Sequence, residues 1–303
     1  MASLTNKPTL LLCLDSSKGA TILQEAFQYR DLWQLLVCVS GRPNNGGDEI
    51  RNLANRHDCR VITNQESHSC SAEFCQENNV ARIFCVGWRF LIRQETLNLL
   101  PGQVLVAHDS LLPRLRGFAP VATAILSGEA ETGVSLIHAV ADVDAGNIIW
   151  QEAIHIESTD TATTLTTRLL PLYVKSLRLA VAADVPSGLP QNHTNATYSI
   201  WRDEQDYRIQ WHSSAKQIES AVRALAFPFD GAQTILNGDL VTITSAEIAQ
   251  DMSFAIRQPG KIWHLDEHGC PTVVCGSGML KITEATRNKK TILPIKRLRQ
   301  RFE

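Results

Sequence analysis

Short apolar runs alternate with amphipathic stretches through the first third of the chain. Pro8–Asp15 (PTLLLCLD) is followed by WQLLVCVS, CRVIT, ARIFCVGW and VLVAH, each compact and rich in aliphatic residues, the pattern of strands buried on both faces. Between them lie SSKGATILQEAFQY, with Ser16 or Ser17 as N-cap, GGDEIRNLANRHD, with Ile50 and Leu53 on one side, SAEFCQENN and LIRQETLNLL, all predicted helices. Alternation of this kind predicts a Rossmann-like α/β domain with a mostly parallel sheet covered on both faces. Ligands of such sheets collect at the carboxyl ends of the strands. His108, closing VLVAH, stands at such an end, as do Gly87, Trp88 and Arg89.

The pattern then shifts. PVATAILS, from Pro120, predicts a helix, and TGVSLIHAV and NIIWQEAIHI predict strands joined by the polar loop ADVDAG. A long helix follows from Thr159 or Asp160. Leu165, Leu169, Leu172, Ser176 and Ala180 keep helical spacing with Tyr173 widening the face, and Pro171 is expected to bend or interrupt it. Asp184–Ser199 is rich in Pro, Gly, Asn and Ser and reads as a linker. Beyond it come a helix over SAKQIESAVRALAF and short strands around an Asn237-Gly238 turn, the pattern of a smaller β-rich, OB-like barrel. The expected domains are 1–184, a linker at 185–199, and 200–303.

Composition narrows the class without naming a reaction. The 303 residues are 44% hydrophobic and 20% charged, with a net charge of -2, ordinary for a soluble globular protein. That balance gives no general pull toward nucleic acid or an anionic membrane, and the basic stretch near Lys289 reads as a solvated tail. No apolar run is long enough for a membrane span, so a cytoplasmic location is expected. The 8 cysteines are irregularly spaced and read as reduced thiols. A zinc site from His68, Cys70 and Cys75 has no fitting motif, so no metal is expected.

The stretch His108–Gln151, HDSLLPRLRGFAPVATAILSGEAETGVSLIHAVADVDAGNIIWQ, holds SLLPxxRG, GExETGVS and DAGxII in order. With VGWRFLI before it and IQWHSSAKQIESAVRALAFPFDGAQT after it, the chain resembles the folate-dependent formyltransferases, including methionyl-tRNA formyltransferase and the nucleotide-amino-sugar N-formyltransferases. The resemblance implies formyl transfer from 10-formyltetrahydrofolate to an amine. It places the family's catalytic His on His108 and its Asp on Asp144. Val86, Gly87, Trp88, Arg89, Leu112 and Arg116 then fall along the folate, with backbone groups of Val86, Gly87, Trp88 and Leu112 available to a flat heterocycle.

The chemistry suits those side chains. Attack of an amine on a formyl carbon builds an oxyanion and an ammonium; a carboxylate can orient the amine and take its proton, and an imidazole can donate to the oxygen. One position departs from the pattern: the family's catalytic Asn falls on Val106, which has no polar hydrogen. Loss of an oxyanion donor costs other enzymes about 10²–10³-fold in rate. The Ser110 hydroxyl or a backbone N–H is a candidate replacement. Asp109, also unusual, either orients His108 or caps the next turn. Gly117, Gly133 and Gly146 read as backbone devices, and His138 as structural or exposed.

The expectation is an N-formyltransferase acting on the amino group of a small molecule, an amino sugar on a nucleotide carrier before a transfer RNA, with a homodimer compatible. Two alternatives stay open because of Val106: a folate- or nucleotide-binding protein without transfer activity, and a hydrolase releasing formate from the folate.

Overall fold

The computed structural model describes residues 7–41 and 46–303. Two compact units divide the chain, one formed by 1–120, 131–155 and 166–199, the other by 121–130, 156–165 and 200–303.

In the first unit, β1 (Thr9–Leu14), β2 (Gln34–Val39), β3 (Arg60–Thr63), β4 (Val80–Val86) and β5 (Val104–His108) alternate with α1 (Ser16–Ala26), α2 (Gly47–Arg56), α3 (Ala72–Glu77) and α4 (Gln94–Leu99). β6 is the two-residue Arg116–Gly117, and α5 (Pro120–Ser127) falls almost wholly in the second unit. β7 (Glu131–His138) and β8 (Ile148–His155) precede α6 (Ala162–Ala180), and β9 is Tyr198–Ser199. The main sheet has the order β3-β2-β1-β4-β5-β7-β8. Its first five strands in that order are parallel; β7 runs antiparallel to β5, and β8 antiparallel to β7. Strand order reverses about β1, so the carboxyl ends of β1 and β4 flank the crevice where such sheets take ligands. β1 is wholly buried, which is why it reads as a continuous apolar run rather than an alternating one.

Two local expectations change. The cap of α1 is Asp15, not a serine, and Asp15 makes no side-chain bond to the helix. Its Oδ1 instead accepts from Ser40 Oγ at 2.8 Å and Ser40 N at 3.3 Å, tying the ends of β1 and β2. α6 runs unbroken through Pro171. Its apolar stripe decides this: Leu169, Leu172, Tyr173 and Leu177 are all buried, and packing of that face outweighs the one hydrogen bond proline forfeits.

The second unit holds α7 (Ala215–Ala224), started by a reciprocal capping box between Ser214 and Gln217. β10 (Ala232–Leu236), β11 (Asp239–Ala249), β12 (Ile262–Leu265), β13 (Pro271–Val274) and β14 (Met279–Arg287) form an antiparallel sheet, with β15 (Lys290–Thr291) against β14. Asn237 and Gly238, at φ 55° and 85°, make the tight β10–β11 turn. Residues 300–303 bond to Ile235 on one side and to Gly260 and Ile262 on the other, joining the two edges of the sheet. Trp211, Ile218, Val241, Leu280 and Phe302 fill the core. Among the described residues no helix is long and apolar enough to cross a membrane.

Candidate active site

β5 carries the apolar run into the sheet and releases His108 at its carboxyl end, 6% exposed. Its Nε2 lies 2.9 Å from the Leu115 carbonyl oxygen. A carbonyl only accepts, so Nε2 carries the hydrogen. Nδ1 faces Asp144 Oδ2 at 3.4 Å. A neutral ring would present a lone pair there; the contact is attractive only when Nδ1 is also protonated. The two residues sit within reach of one small molecule.

Asp144 comes from the β7–β8 loop at φ 49°, a conformation Asp tolerates better than most residues. Gly117 N–H donates to Oδ2 at 2.8 Å. The loop's main chain is held by Gln191, whose Nε2 donates to the carbonyls of Asp144 at 2.8 Å and Gly146 at 2.7 Å. Gln191 Oε1 in turn accepts from Arg116 Nε at 3.1 Å and Nη2 at 2.7 Å, and Arg116 Nη2 also meets His193 Nδ1 at 3.3 Å. Arg116, expected along the folate, is thus 2% exposed with its fork turned to Gln191 and His193. The stretch 185–199, read above as a linker, supplies both of those partners.

The SLLP turn after His108 is gathered around Ser135, which is fully buried. Ser135 Oγ donates to Ser110 O at 2.6 Å and accepts from Leu112 N at 3.2 Å and Gln151 Nε2 at 2.7 Å. Leu112 O accepts from the same Gln151 amide at 3.0 Å. The backbone donor and acceptor of Leu112 are both engaged within the protein. Ser110 Oγ donates to Arg114 O at 2.6 Å, so this hydroxyl is committed elsewhere than the oxyanion. Val106 pairs in register with Cys85 and Ile137, and it packs against the apolar cluster of that sheet face, so no side chain at those two positions replaces the missing amide. His138 Nε2 donates to Pro186 O at 2.8 Å, a structural role.

Asp109 takes its ionic partner from another element of the fold. Its Oδ2 accepts from Lys18 Nζ, on the first turn of α1, at 2.8 Å, and the ammonium lies 5.3 Å from the Tyr173 ring centre. Burial opposes charge on Asp109, but Lys18 and then His108 hold its carboxyl below the ordinary range. No spacing rule links positions so far apart; only the meeting of α1 with the end of β5 does.

Around the expected folate segment, Val86 is buried, Gly87 has φ 64°, and Arg89 is exposed. A Cβ on Gly87 would stand 3.0 Å from Asp15 O, which explains the glycine. Trp88 is half-buried, with its ring 5.2 Å from Phe90, and its indole Nε1 is buried without a hydrogen-bond partner. A buried indole donor normally finds an acceptor.

Gly146 is demanded sterically: a Cβ there would fall 1.8 Å from His138 O. Gly146→Ala is expected to force the two backbones apart, costing about 1–3 kcal/mol or more and displacing Asp144. Urea denaturation of the variant should show the lowered midpoint; an unchanged midpoint would mean the loop moves freely.

An imidazole and a carboxylate thus meet at the rim of an open, mostly parallel sheet. Residues 35–181 match the family described as "Formyl transferase" and residues 202–303 its "C-terminal domain", and the chain belongs to the formyl transferase family. It is an enzyme family that moves formyl groups. The fold is similar to that of WlaRD, a sugar 3N-formyl transferase solved with dTDP and 5-N-formyl-THF, at 19% identity, 93% and 98% coverage of the two chains and a TM-score of 0.67. It is also similar to the N-formyltransferase from Helicobacter canadensis in complex with folinic acid and dTDP-3-aminofucose, at 18% identity, 91% and 98% coverage and a TM-score of 0.66. HypX from Aquifex aeolicus matches at 17% identity and a TM-score of 0.63, over 93% of this chain and 45% of that one.

Proposed function

We propose that the protein transfers a formyl group from 10-formyltetrahydrofolate to the primary amine of a nucleotide-linked amino sugar. The observation that carries the reading is the His108 Nδ1–Asp144 Oδ2 approach of 3.4 Å at the end of β5. The donor supplies the formyl carbon. Asp144 orients the incoming amine and takes its proton as the new C–N bond forms. Nε2–H is held by Leu115 O, so Nδ1, once protonated, is the ring donor left for the charge that develops on the formyl oxygen, and the proton that Asp144 takes from the amine passes on to the departing folate nitrogen. The orphaned Trp88 Nε1 fits a heterocycle carrying acceptors, and we place the pterin along Val86, Gly87, Trp88 and Arg89. Arg116 acts through Gln191 as a positioning residue, and Leu112 contributes apolar cover. The sugar substrate is favoured by the company of structures around a sugar nucleotide and by the near-neutral charge of the chain. We take 1–184 as the catalytic domain and 200–303 as an OB-like barrel, in a cytoplasmic enzyme.

The test mixes the protein with the formyl donor and a panel of nucleotide amino sugars, followed by mass spectrometry. A product heavier by one formyl group supports transfer. Formate without product replaces this reading with hydrolysis, and binding of both ligands without either product replaces it with a binding protein.

Val106→Asn restores the family's amide beside His108. The expected result is a transfer rate raised by about tenfold or more, toward the 10²–10³ that one oxyanion donor contributes elsewhere, at a stability cost of about 1 kcal/mol for the added polar group. A lowered rate in a folded variant would mean that the valine belongs to a different arrangement of the oxyanion site.

A further inference from the structure

On the sheet face covered by α3 and α4, thiols are concentrated in one place. Cys38, Cys13 and Cys85 stand side by side on β2, β1 and β4, paired in register. Cys70, from the loop between β3 and α3, closes over them. Cys13 Sγ and Cys70 Sγ are 3.5 Å apart, and the ligand atoms of Cys13, Cys38 and Cys70 all lie within 4.8 Å of one another. All three residues are fully buried.

We propose that Cys13, Cys38 and Cys70 bind one zinc ion as thiolates, with Ser67 Oγ as the fourth donor. Zinc–thiolate bonds of about 2.3 Å in a tetrahedron separate the sulfurs by about 3.8 Å, a span that three sulfurs within 4.8 Å of one another can reach by small shifts. Ser67 is fully buried, its Oγ 3.5 Å from Cys38 Sγ and 3.9 Å from Cys70 Sγ. It donates its hydrogen to Asn64 O and accepts from Cys70 N, which leaves one lone pair for the metal.

The loop is shaped for this. His68, Ser69 and Cys70 have φ of 48°, 59° and 54°, three successive non-glycine residues in the left-handed region. Such a run is disfavoured for L-residues and persists only where the surroundings impose it. Here it turns Cys70 inward onto β1 and β2. Binding releases the thiol protons to solvent and leaves one net negative charge, distributed over three sulfurs. No oxidation is involved. The sequence hides the site because its ligands come from three separate segments and follow none of the short zinc spacings. His68 and Cys75, the sequence candidates beside Cys70, are not in the cluster.

The site is independent of formyl transfer, and its test does not read activity. The full chain is produced in cells supplied with cobalt, purified under reduction, and examined by intact native mass spectrometry and absorption. One cobalt per chain with an intense sulfur-to-cobalt charge-transfer band is expected, displaced by added zinc. Cys70→Ala and, separately, Cys38→Ala should lose the metal and the band, while Cys270→Ser, on another part of the fold, keeps both. Should neither alanine variant fold, the wild-type mass and band still decide. Folded, reduced protein without metal overturns the proposal. So does a mass lower by two hydrogens, which would mark a disulfide, or a band that survives both alanine variants.

Discussion

Asp144→Asn is expected to lower formyl transfer by about 10²–10⁴-fold while the protein stays folded. The amide oxygen of Asn can still accept the Gly117 N–H that Asp144 Oδ2 accepts at 2.8 Å. The Gln191 bonds to the loop carbonyls involve backbone and are untouched. Geometry is thus preserved and charge is removed. An amide cannot take the proton of an attacking amine. The deficit should appear in kcat more than in KM, since the lost interaction belongs to the transition state. Steady-state kinetics with the best acceptor, beside a thermal melt within a few degrees of wild type, checks both halves. Unchanged turnover would remove Asp144 from the mechanism.

Lys18→Met is expected to destabilise the fold by about 3–5 kcal/mol, because it leaves the Asp109 carboxylate buried without its partner. The two side chains are only 12% and 13% exposed, so water offers little compensation. The pH dependence gives the sharper signature. In the wild type the Asp109 carboxyl is held low in the folded state. Its contribution is complete above the unfolded value of about 4 and fades as pH falls below it. Without Lys18, burial dominates and the folded carboxyl rises above the unfolded value. The variant should then lose stability as pH rises above the unfolded value of about 4 and keep it in acid below that value. Urea unfolding at several pH values separates the two behaviours. Asp109→Asn added to Lys18→Met should recover most of the loss at neutral pH; a double variant as unstable as the single one would show that the lysine stem, not the charge pair, matters.

The strands and helices of the first unit were legible because a parallel sheet needs continuous apolar runs and its crossovers need amphipathic ones. His108 and Asp144 were legible through motif resemblance, and the structure brings them together. What the sequence concealed is what packing decides between distant segments. Gln191 lies in a Pro- and Asn-rich stretch that gives no periodic signal, yet its amide holds the Asp144 loop. Ser110 looked available as a donor until the turn geometry sent its hydroxyl to Arg114. Arg116 carries a charge, which on sequence points outward to a ligand, but Gln191 gives it an internal acceptor. Pro171 looked disruptive because local rules do not weigh the buried stripe around it.

The Gln191 tie sets a rule for building chimeras. A graft that exchanges everything after residue 184 would import a foreign 185–199 and cut the amide away from the two carbonyls that aim the carboxylate, although every acid–base residue would be unchanged. Moving the junction past Ser199 keeps the brace with the loop it steadies. Hybrids joined at the earlier point should therefore fold and fail, and those joined at the later one should work.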